Sequence, residues 1–384
     1  MIKDITEIAV KNKRVLLRCD LNVPLDAKGN VLDDFRIEKA IPTIEYLIKK
    51  GARVILISHL GRPGGKVVKK LSLAPVQEKL VEYLDLSVTK AKSCLGKEIR
   101  EWTEKMAPGE VLLLENLRFH PGETKNDLNF TKELAKLGDI FVNDAFAVSH
   151  RSHASIVGLP RFLPSAMGLL LKEEIESLSK VIKKPKRPLV GIIGGAKINT
   201  KIRPIKSFLE KVDFLLLGGK IANIVLNIKG VSVGKPLPEP EIIKELEGLE
   251  LTNPKLRLPV DVSVALNGVY ERKAGPANVR KDESVLDIGP ETVKIFSRII
   301  SEAKTIFWSG PLGKIEEKQF AIGTFGIARA IAQSDAFSVA GGRETVSFLR
   351  ESNLADQFSF LSTGGGAMLA YLSKGTLPGI EALE

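Results

Sequence analysis

The chain reads as an α/β protein, with two Rossmann-like three-layer domains of mainly parallel sheet joined by a central hinge helix. Three observations predict this. Short runs that are apolar throughout recur along the chain with amphipathic helical patterns between them, the signature of parallel strands covered on both faces. The length, 384 residues, exceeds what a single hydrophobic core usually fills. The residues that leave the apolar runs also change character midway, from Arg and His in the first half to glycine pairs and triplets in the second.

The change falls at one helical pattern, residues 165–185, bracketed by Pro164 and Pro185. Met167, Leu171, Ile175, Leu178 and Ile182 recur at helical spacing, with Glu173, Glu174 and Glu176 early and Lys180, Lys183 and Lys184 late, so its charges match its dipole. We read it as the joint between domains at 1–164 and 186–374. The alternative is a core helix of one large domain.

Composition narrows the class. An apolar fraction of 44% with 27% charged residues is that of a soluble globular enzyme. The net charge of +11 is spread evenly, with 27 Lys+Arg against 21 Asp+Glu in residues 1–164 and 30 against 25 in the remainder. There is no basic tail, the KVVKK run at 66–70 reads as a solvated loop, and aromatics are only 6%, so no dedicated nucleic-acid surface is expected. A positive field still draws anionic metabolites. The two cysteines, Cys19 and Cys94, suit a reducing compartment. The start MIKDITEIAVKNK has no signal-peptide core and no apolar run is long enough to span a membrane, so a cytoplasmic protein without membrane contact is expected.

In the first half, the runs at 14–18 (RVLLR), 53–58 (RVILIS), 110–114 (EVLLL) and 139–142 (DIFV) are strands, with helices at 36–50 and 73–84 between them. Ligands of such sheets bind beyond the carboxyl ends of the strands. The first strand exits through Arg18, Asp20 and Asn22; the second through His59 and Arg62; the third through Asn116 and Arg118; the fourth through Asn143, Asp144, His150, Arg151 and His153. Arg36 opens the helix after the first exit. All four histidines, His120 included, fall in or just beyond these exits. Guanidinium forks match carboxylate and phosphate oxygens, so the set predicts a small, highly anionic ligand. A zinc pair at His150 and His153 is disfavoured by Arg151 between them.

In the second half, the strand 189–193 runs into Gly194, Gly195, Ala196 and Lys197, with Lys201 four residues later on the same expected helix face. Phe214 to Leu217 leads to Gly218, Gly219 and Lys220, and 337–339 leads to Gly341 and Gly342. The run 358–361 leads to Ser362, Thr363 and the triplet Gly364, Gly365, Gly366 before a helix at Ala367. Strand, glycine turn and helix N-terminus together offer unpaired backbone N–H groups to phosphate oxygens, so a nucleotide-like ligand is predicted. No GxxxxGK[ST] and no early GxGxxG is present, which excludes a P-loop and a dinucleotide fold by motif. Two more strands, 258–265 (LPVDVSVA) and 305–308, end near Asp261 and near Ser309, Gly310, Pro311, Leu312 and Gly313. Glu316 then follows, either within reach of a ribose or facing solvent beside Glu317.

An anion site in one domain and a nucleotide site in the other suggest phosphoryl transfer between the two ligands, with Mg2+ on the nucleotide phosphates. The rivals are a two-domain anion-binding protein that closes without chemistry, and a kinase with impaired turnover. Lys197 and Glu344 discriminate, because a pure binder needs neither a transfer lysine nor a metal carboxylate.

These residues also carry a resemblance. LLRCDLNVP at 16–24, SHLGRP at 58–63, ENLRF at 115–119, NDAFAVSHRSHAS at 143–155, GGAKINTKI at 194–202, LPVDV at 258–262, STGGGA at 362–367 and LPGIEAL at 377–383 resemble, in order and spacing, the signatures of the phosphoglycerate kinases. The resemblance implies transfer of the acyl phosphate of 1,3-bisphosphoglycerate to MgADP, giving 3-phosphoglycerate and ATP, by a monomer. It implies that Asp20, Asn22, Arg36, His59, Arg62, Arg118 and Arg151 hold the phosphoglycerate, with Arg36 also meeting the transferring group. It assigns Gly195, Lys197, Lys201, Gly219, Pro311, Glu316, Gly341, Gly342 and Thr345 to the nucleotide, with Lys197 following the phosphoryl group and Glu316 on the ribose. Gly364 and Gly365 would meet transition-state charge, and Glu344 the metal. A segment at 375–384 would return to the first domain. The chain departs from the family pattern in having Ser309 where Asn is usual, Gly341-Gly342-Arg343-Glu344-Thr345 where GGGD[ST] is usual, and Ala147 in place of glycine. The first two departures bear on nucleotide affinity and base preference.

Overall fold

The first sheet is built around four strands that are buried at nearly every position, with two less buried strands at its edges. Its strands are β1 (Arg14–Cys19), β2 (Arg53–Ile57), β3 (Val88–Lys90), β4 (Val111–Leu113), β5 (Ile140–Asp144) and β6 (Ser165–Met167). They lie in the order β3-β4-β2-β1-β5-β6, every neighbour parallel. In this computed structural model, residues 2–196, 201–237, 239–246, 250–266 and 268–384 are described. One compact unit comprises Met1–Glu176 with Thr376–Glu384, and the other Ser177–Gly375.

The second unit holds β7 (Leu189–Ile193), β8 (Phe214–Leu217) and β9 (Leu256–Arg257), then β10 (Val262–Leu266), β11 (Val269–Ala274) and β12 (Glu283–Ile288), then β13 (Thr305–Ser309), β14 (Phe337–Gly341) and β15 (Phe360–Ser362). Six of these form a parallel sheet in the order β15-β14-β13-β7-β8-β9, while β11-β10-β12 is a separate antiparallel sheet. The large sheet packs a core that includes Trp308, Phe296, Ile306 and Ile327, all buried. Burial of side chains of this size is worth roughly 1.5–3 kcal/mol each.

Three expectations are corrected. The helix expected over 165–185 is preceded by β6, and runs only from Leu169 to Ile182. Met167, taken as the first residue of its apolar stripe, pairs with Asn143 in the β5–β6 ladder. Gly168 then turns the chain so closely against Asp144 that a Cβ there would lie 2.2 Å from Asp144 Oδ1. The second correction is at 258–265, where the strand begins only at Val262 and is antiparallel. Asp261 instead caps the helix Pro290–Glu302, accepting the Thr292 and Glu291 N–H groups at 2.7 and 3.1 Å. Third, the helix after β7 is described from Ile202, with Lys201 at its N-cap rather than on its face, and Lys197 lies outside the described residues.

Strand order reverses between β1 and β5 in the first sheet and between β7 and β13 in the second. Crevices at such reversals, beyond the carboxyl ends of the strands, are where open α/β sheets bind ligands. Among the described residues, no helix is long and apolar enough to cross a membrane.

Candidate active site

In the first unit, Arg18 and Cys19 end β1 in register with Asn143 and Asp144 of β5, and Arg18 also with Ile57 of β2. The segments leaving three strands therefore emerge side by side. Arg18 is fully buried; its Nε donates to Ser155 Oγ at 2.9 Å, its Nη2 to His59 Nδ1 at 3.1 Å and its Nη1 to the Cys19 carbonyl. Ser155 in turn donates to Glu123 Oε1 at 2.7 Å. Because a guanidinium can only donate, His59 Nδ1 is the acceptor and its proton resides on Nε2. His59 is thus neutral, with one N–H left to offer.

The remaining members form one network. Asp20 Oδ2 lies 3.0 Å from Arg36 Nη1, which also donates to the Asn22 carbonyl at 3.0 Å. Asn22 Oδ1 accepts the Gly61 N–H at 2.8 Å, and the Gly61 carbonyl accepts Arg118 Nη1 at 2.8 Å. Asp20, Asn22, Arg36, His59 and Arg118 are therefore brought together. Arg62 and Arg151 are exposed, yet Arg62 presses on Arg118, and Arg151 on His150 and His153.

Crowded positive charge dominates this basin. Burial, then Arg18 and Arg118, holds the His59 imidazole well below its usual range. Burial and neighbouring arginines lower His150 and His153 to about 4. Burial and Arg18 lower even Arg118 to about 10. The imidazoles are neutral at physiological pH, so the charge is carried by arginine. Among the described residues, Arg118 Nε and His153 Nδ1 are buried without a hydrogen-bond partner, although His153 Nδ1 lies 3.7 Å from Glu123 Oε1. Glu123 and Ser155, which brace Arg18, were not foreseen as site residues.

In the second unit the strand exits are aligned. Ile193 pairs with Leu217 and with Ser309, Ser309 with Gly341, and Gly341 with Ser362, so the glycines that follow form a row. The N–H groups of this row are not all free, contrary to expectation. Gly194, Gly195 and Gly219 donate to the carbonyls of Ser309, Pro311 and Leu312 at 3.0, 2.6 and 3.0 Å. Glycine is required there for close approach of the 309–313 loop; a Cβ on Gly194 would lie 2.2 Å from the Pro311 carbonyl oxygen. Lys201 is buried, its Nζ donating to the Gly194 carbonyl and, at 3.5 Å, to that of Ser309, directly at the reversal of strand order.

Two helix N-termini also lie along this row. Gly342 and Gly364 precede the helices Arg343–Glu351 and Gly365–Lys374, and a Cβ on Gly365 would lie 2.6 Å from Gly342 Cα. The two positive dipole ends are thus packed side by side. Thr345 is buried, with its Oγ1 accepting the Gly310 N–H at 2.8 Å, so it braces the loop after β13.

Beside this row lies a cavity of about 530 Å3, lined by Gly195, Gly219, Pro311, Glu316 and Glu344 among the expected residues. Lys201, Gly341, Gly342, Thr345, Gly364 and Gly365 do not line it. Ile224, Val233, Val285 and Leu312 supply apolar walls, and Lys220 and Asn223 polar groups. An unforeseen member is Asp287, a buried carboxyl raised to about 7 by burial, which accepts the Gly323 and Ile288 N–H groups at 2.7 and 2.9 Å. An apolar slot beside a row of helix N-termini suits a flat base with a phosphate tail.

Comparison with known proteins identifies the family. The family model for phosphoglycerate kinase matches residues 5–375. A phosphoglycerate kinase of Desulfosudis oleivorans is 46% identical over 391 residues, covering 100% of this chain and 99% of that protein. One from Pelotomaculum thermopropionicum is 44% identical over 391 residues, covering 99% and 98%. The solved phosphoglycerate kinase of Coxiella burnetii superposes with a TM-score of 0.82 at 39% identity, covering 100% of this chain and 99% of that one. That of Pyrococcus horikoshii superposes with 0.90 at 32% identity, covering 100% and 98%. A likeness that runs almost from end to end, in sequence and in fold, leaves one conclusion: the chain belongs to the phosphoglycerate kinase family.

Proposed function

We propose that the protein catalyses reversible transfer of the acyl phosphate of 1,3-bisphosphoglycerate to ADP, giving 3-phosphoglycerate and ATP, a phosphotransfer of glycolysis. The observation that carries this reading is the family match over residues 5–375.

The first unit is assigned the phosphoglycerate and the second the nucleotide. Arg18, Arg36, Arg62, Arg118 and Arg151, set against Asp20 and Glu123, leave an excess of positive charge in the first unit's basin. A ligand with one carboxylate and one phosphate, about −3 in all, neutralises that excess. We assign its binding to Asp20, Asn22, Arg36, His59, Arg62, Arg118 and Arg151. The cavity walls support seating of the adenine, with Glu316 at the ribose and Lys201 and the Gly342 and Gly364 helix ends toward the phosphates.

In the forward direction a β-phosphate oxygen of ADP attacks the acyl phosphorus. The bond from phosphorus to the acyl oxygen breaks, and its electron pair leaves with the 3-phosphoglycerate carboxylate. Catalysis is then positioning and charge neutralisation. Arg36 steadies the leaving carboxylate, the paired helix ends the equatorial oxygens, and Lys197 accompanies the group across. Mg2+ would be held by Glu344 together with nucleotide phosphate oxygens, where it supplies charge neutralisation. The donor set fits: Glu344 offers a hard carboxylate at the cavity, while no group of three or more His, Cys, Asp or Glu among the described residues forms a protein cage. We take the enzyme to act as a cytoplasmic monomer.

The test is a coupled assay with 3-phosphoglycerate and MgATP, repeated with GTP. Turnover well above background with ATP is expected, and none would overturn the reading.

A further inference from the structure

The chain crosses from one unit to the other twice, between Glu176 and Ser177 within the helix Leu169–Ile182 and between Gly375 and Thr376. On the first unit's side, the same two buried residues at the end of β5 grip the segments leading to both crossings. Asp144 Oδ1 accepts the Leu171 N–H at 3.1 Å, capping the crossing helix. Asn143 Nδ2 donates to the Gly379 carbonyl at 3.2 Å, and the Gly379 N–H donates to the Ser149 carbonyl at 2.8 Å, which docks the returning segment. A third residue acts from another element: Thr43 Oγ1 accepts the Leu169 N–H at 3.1 Å.

The elements that supply this grip are those that supply the anion basin. Thr43 lies on the helix Phe35–Lys49, seven residues and so about two turns beyond Arg36, on the same face. Asn143 and Asp144 lead directly into the loop that carries His150, Arg151 and His153. The segments are closely packed at two glycines. Gly168 is pressed on the Asp144 carboxylate, where a Cβ would come within 2.2 Å of Oδ1, and a Cβ on Gly379 would lie 2.6 Å from Ile156 Cγ2. A shift of either basin element therefore moves the start of the crossing helix with it.

We propose, resting on the function given above, that Thr43, Asn143 and Asp144 are positioning residues for the transfer. They couple occupation of the anion basin to both crossings, and so govern kcat without touching substrate. The anion draws Arg36 and Arg151 inward; their helix and loop carry Thr43 and Asp144, and the capped helix follows because Thr43 and Asp144 hold its Leu169 and Leu171 N–H groups. Such coupling is a free-energy difference between bound and free states, distinct from affinity for the anion itself.

The experiment compares Asp144→Leu, which removes the acceptor at similar volume, with Asp144→Asn, which keeps it, and with Thr43→Val. Measured are kcat, the dissociation constant for 3-phosphoglycerate alone, and the radius of gyration with both substrates bound. Asp144→Leu is expected to lower kcat by about tenfold or more, the size of typical coupling, with 3-phosphoglycerate affinity within about twofold of wild type. Asp144→Asn should recover most of the loss, and Thr43→Val should show a smaller fall in kcat of the same kind. Should Asp144→Leu not fold, Thr43→Val and Asn143→Ala decide. Unchanged kcat in the folded variants, or affinity lost in step with kcat, overturns the proposal. An inactive wild type would instead overturn the assigned reaction, and ligand-dependent compaction, compared between wild type and Thr43→Val, would still test the coupling.

Discussion

Arg36 shows what a single side chain contributes to this site. Its guanidinium is held by Asp20 Oδ2 and the Asn22 carbonyl, both at 3.0 Å, so the fork is aimed before any ligand arrives. Arg36→Ala is expected to lower kcat by roughly 100-fold or more, the usual cost of removing a preorganised charge. Arg36→Lys should recover only part of this, because a point charge replaces a fork; equal kcat for Arg36→Lys and wild type would remove the role. The buried titrating groups make a second prediction. His150 and His153, held at about 4, and His59, held well below its usual value, take up protons near pH 6.5 only once unfolded, so their contribution to stability is complete above that pH and is lost on acidification. Asp144, raised to about 6, and Asp287, raised to about 7, are protonated in the native state first and act in the opposite sense, losing their contribution as pH rises. Four lowered imidazoles, His120 included, outnumber the two raised carboxyls, so urea denaturation should show stability falling as pH drops between roughly pH 6 and 4.5, and a rise over that range would refute it. At this scale the sequence identified the basin well, because arginine and histidine at four strand exits point to one chemistry wherever the strands pair. It could not identify Glu123, whose burial depends on Ser155, which comes from 32 residues away.

At the scale of elements, legibility followed how completely each segment is buried. RVLLR, LVGII and FLLL are apolar runs enclosed on both faces, and their observed limits lie within a residue of those read from sequence. β6 (SAM) and β9 (LR) are too short to carry a period, and only pairing with a neighbour makes them strands. The glycine corners were located correctly but misread in part, since whether Gly195 and Gly219 offer their N–H groups outward is decided by the 309–313 loop, more than ninety residues on. Another corner that depends on close packing is Gly365 against Gly342. A methyl at Gly365 would meet backbone at 2.6 and 3.0 Å, which cannot rotate away. Gly365→Ala should therefore cost about 1–3 kcal/mol of stability, spread the two helix ends and lower kcat, while 3-phosphoglycerate affinity stays at the wild-type value. Loss of that affinity as well would mean the effect is not confined to the second unit.

For the whole molecule, the division of labour sets a geometric demand that neither unit meets alone. Each strand-order reversal makes one crevice, and one crevice lies in each unit, so the function proposed above has the acyl phosphate and the ADP oxygen that attacks it held by different bodies. In-line transfer needs reacting atoms within about 3–3.5 Å with water excluded, since water would otherwise take the phosphoryl group. Ligand entry needs the opposite. The two conditions are reconciled only if the relative placement of the units responds to occupancy, and the chain offers just two covalent crossings through which it can do so. Binding either ligand alone satisfies only one body. We therefore expect small-angle scattering to record a clear fall in radius of gyration with 3-phosphoglycerate and MgADP together, and at most a small part of it with either one. Full compaction with one ligand would mean that a single basin drives closure; no compaction with both, in an enzyme that turns over, would mean that the reacting atoms meet without any rearrangement of the units.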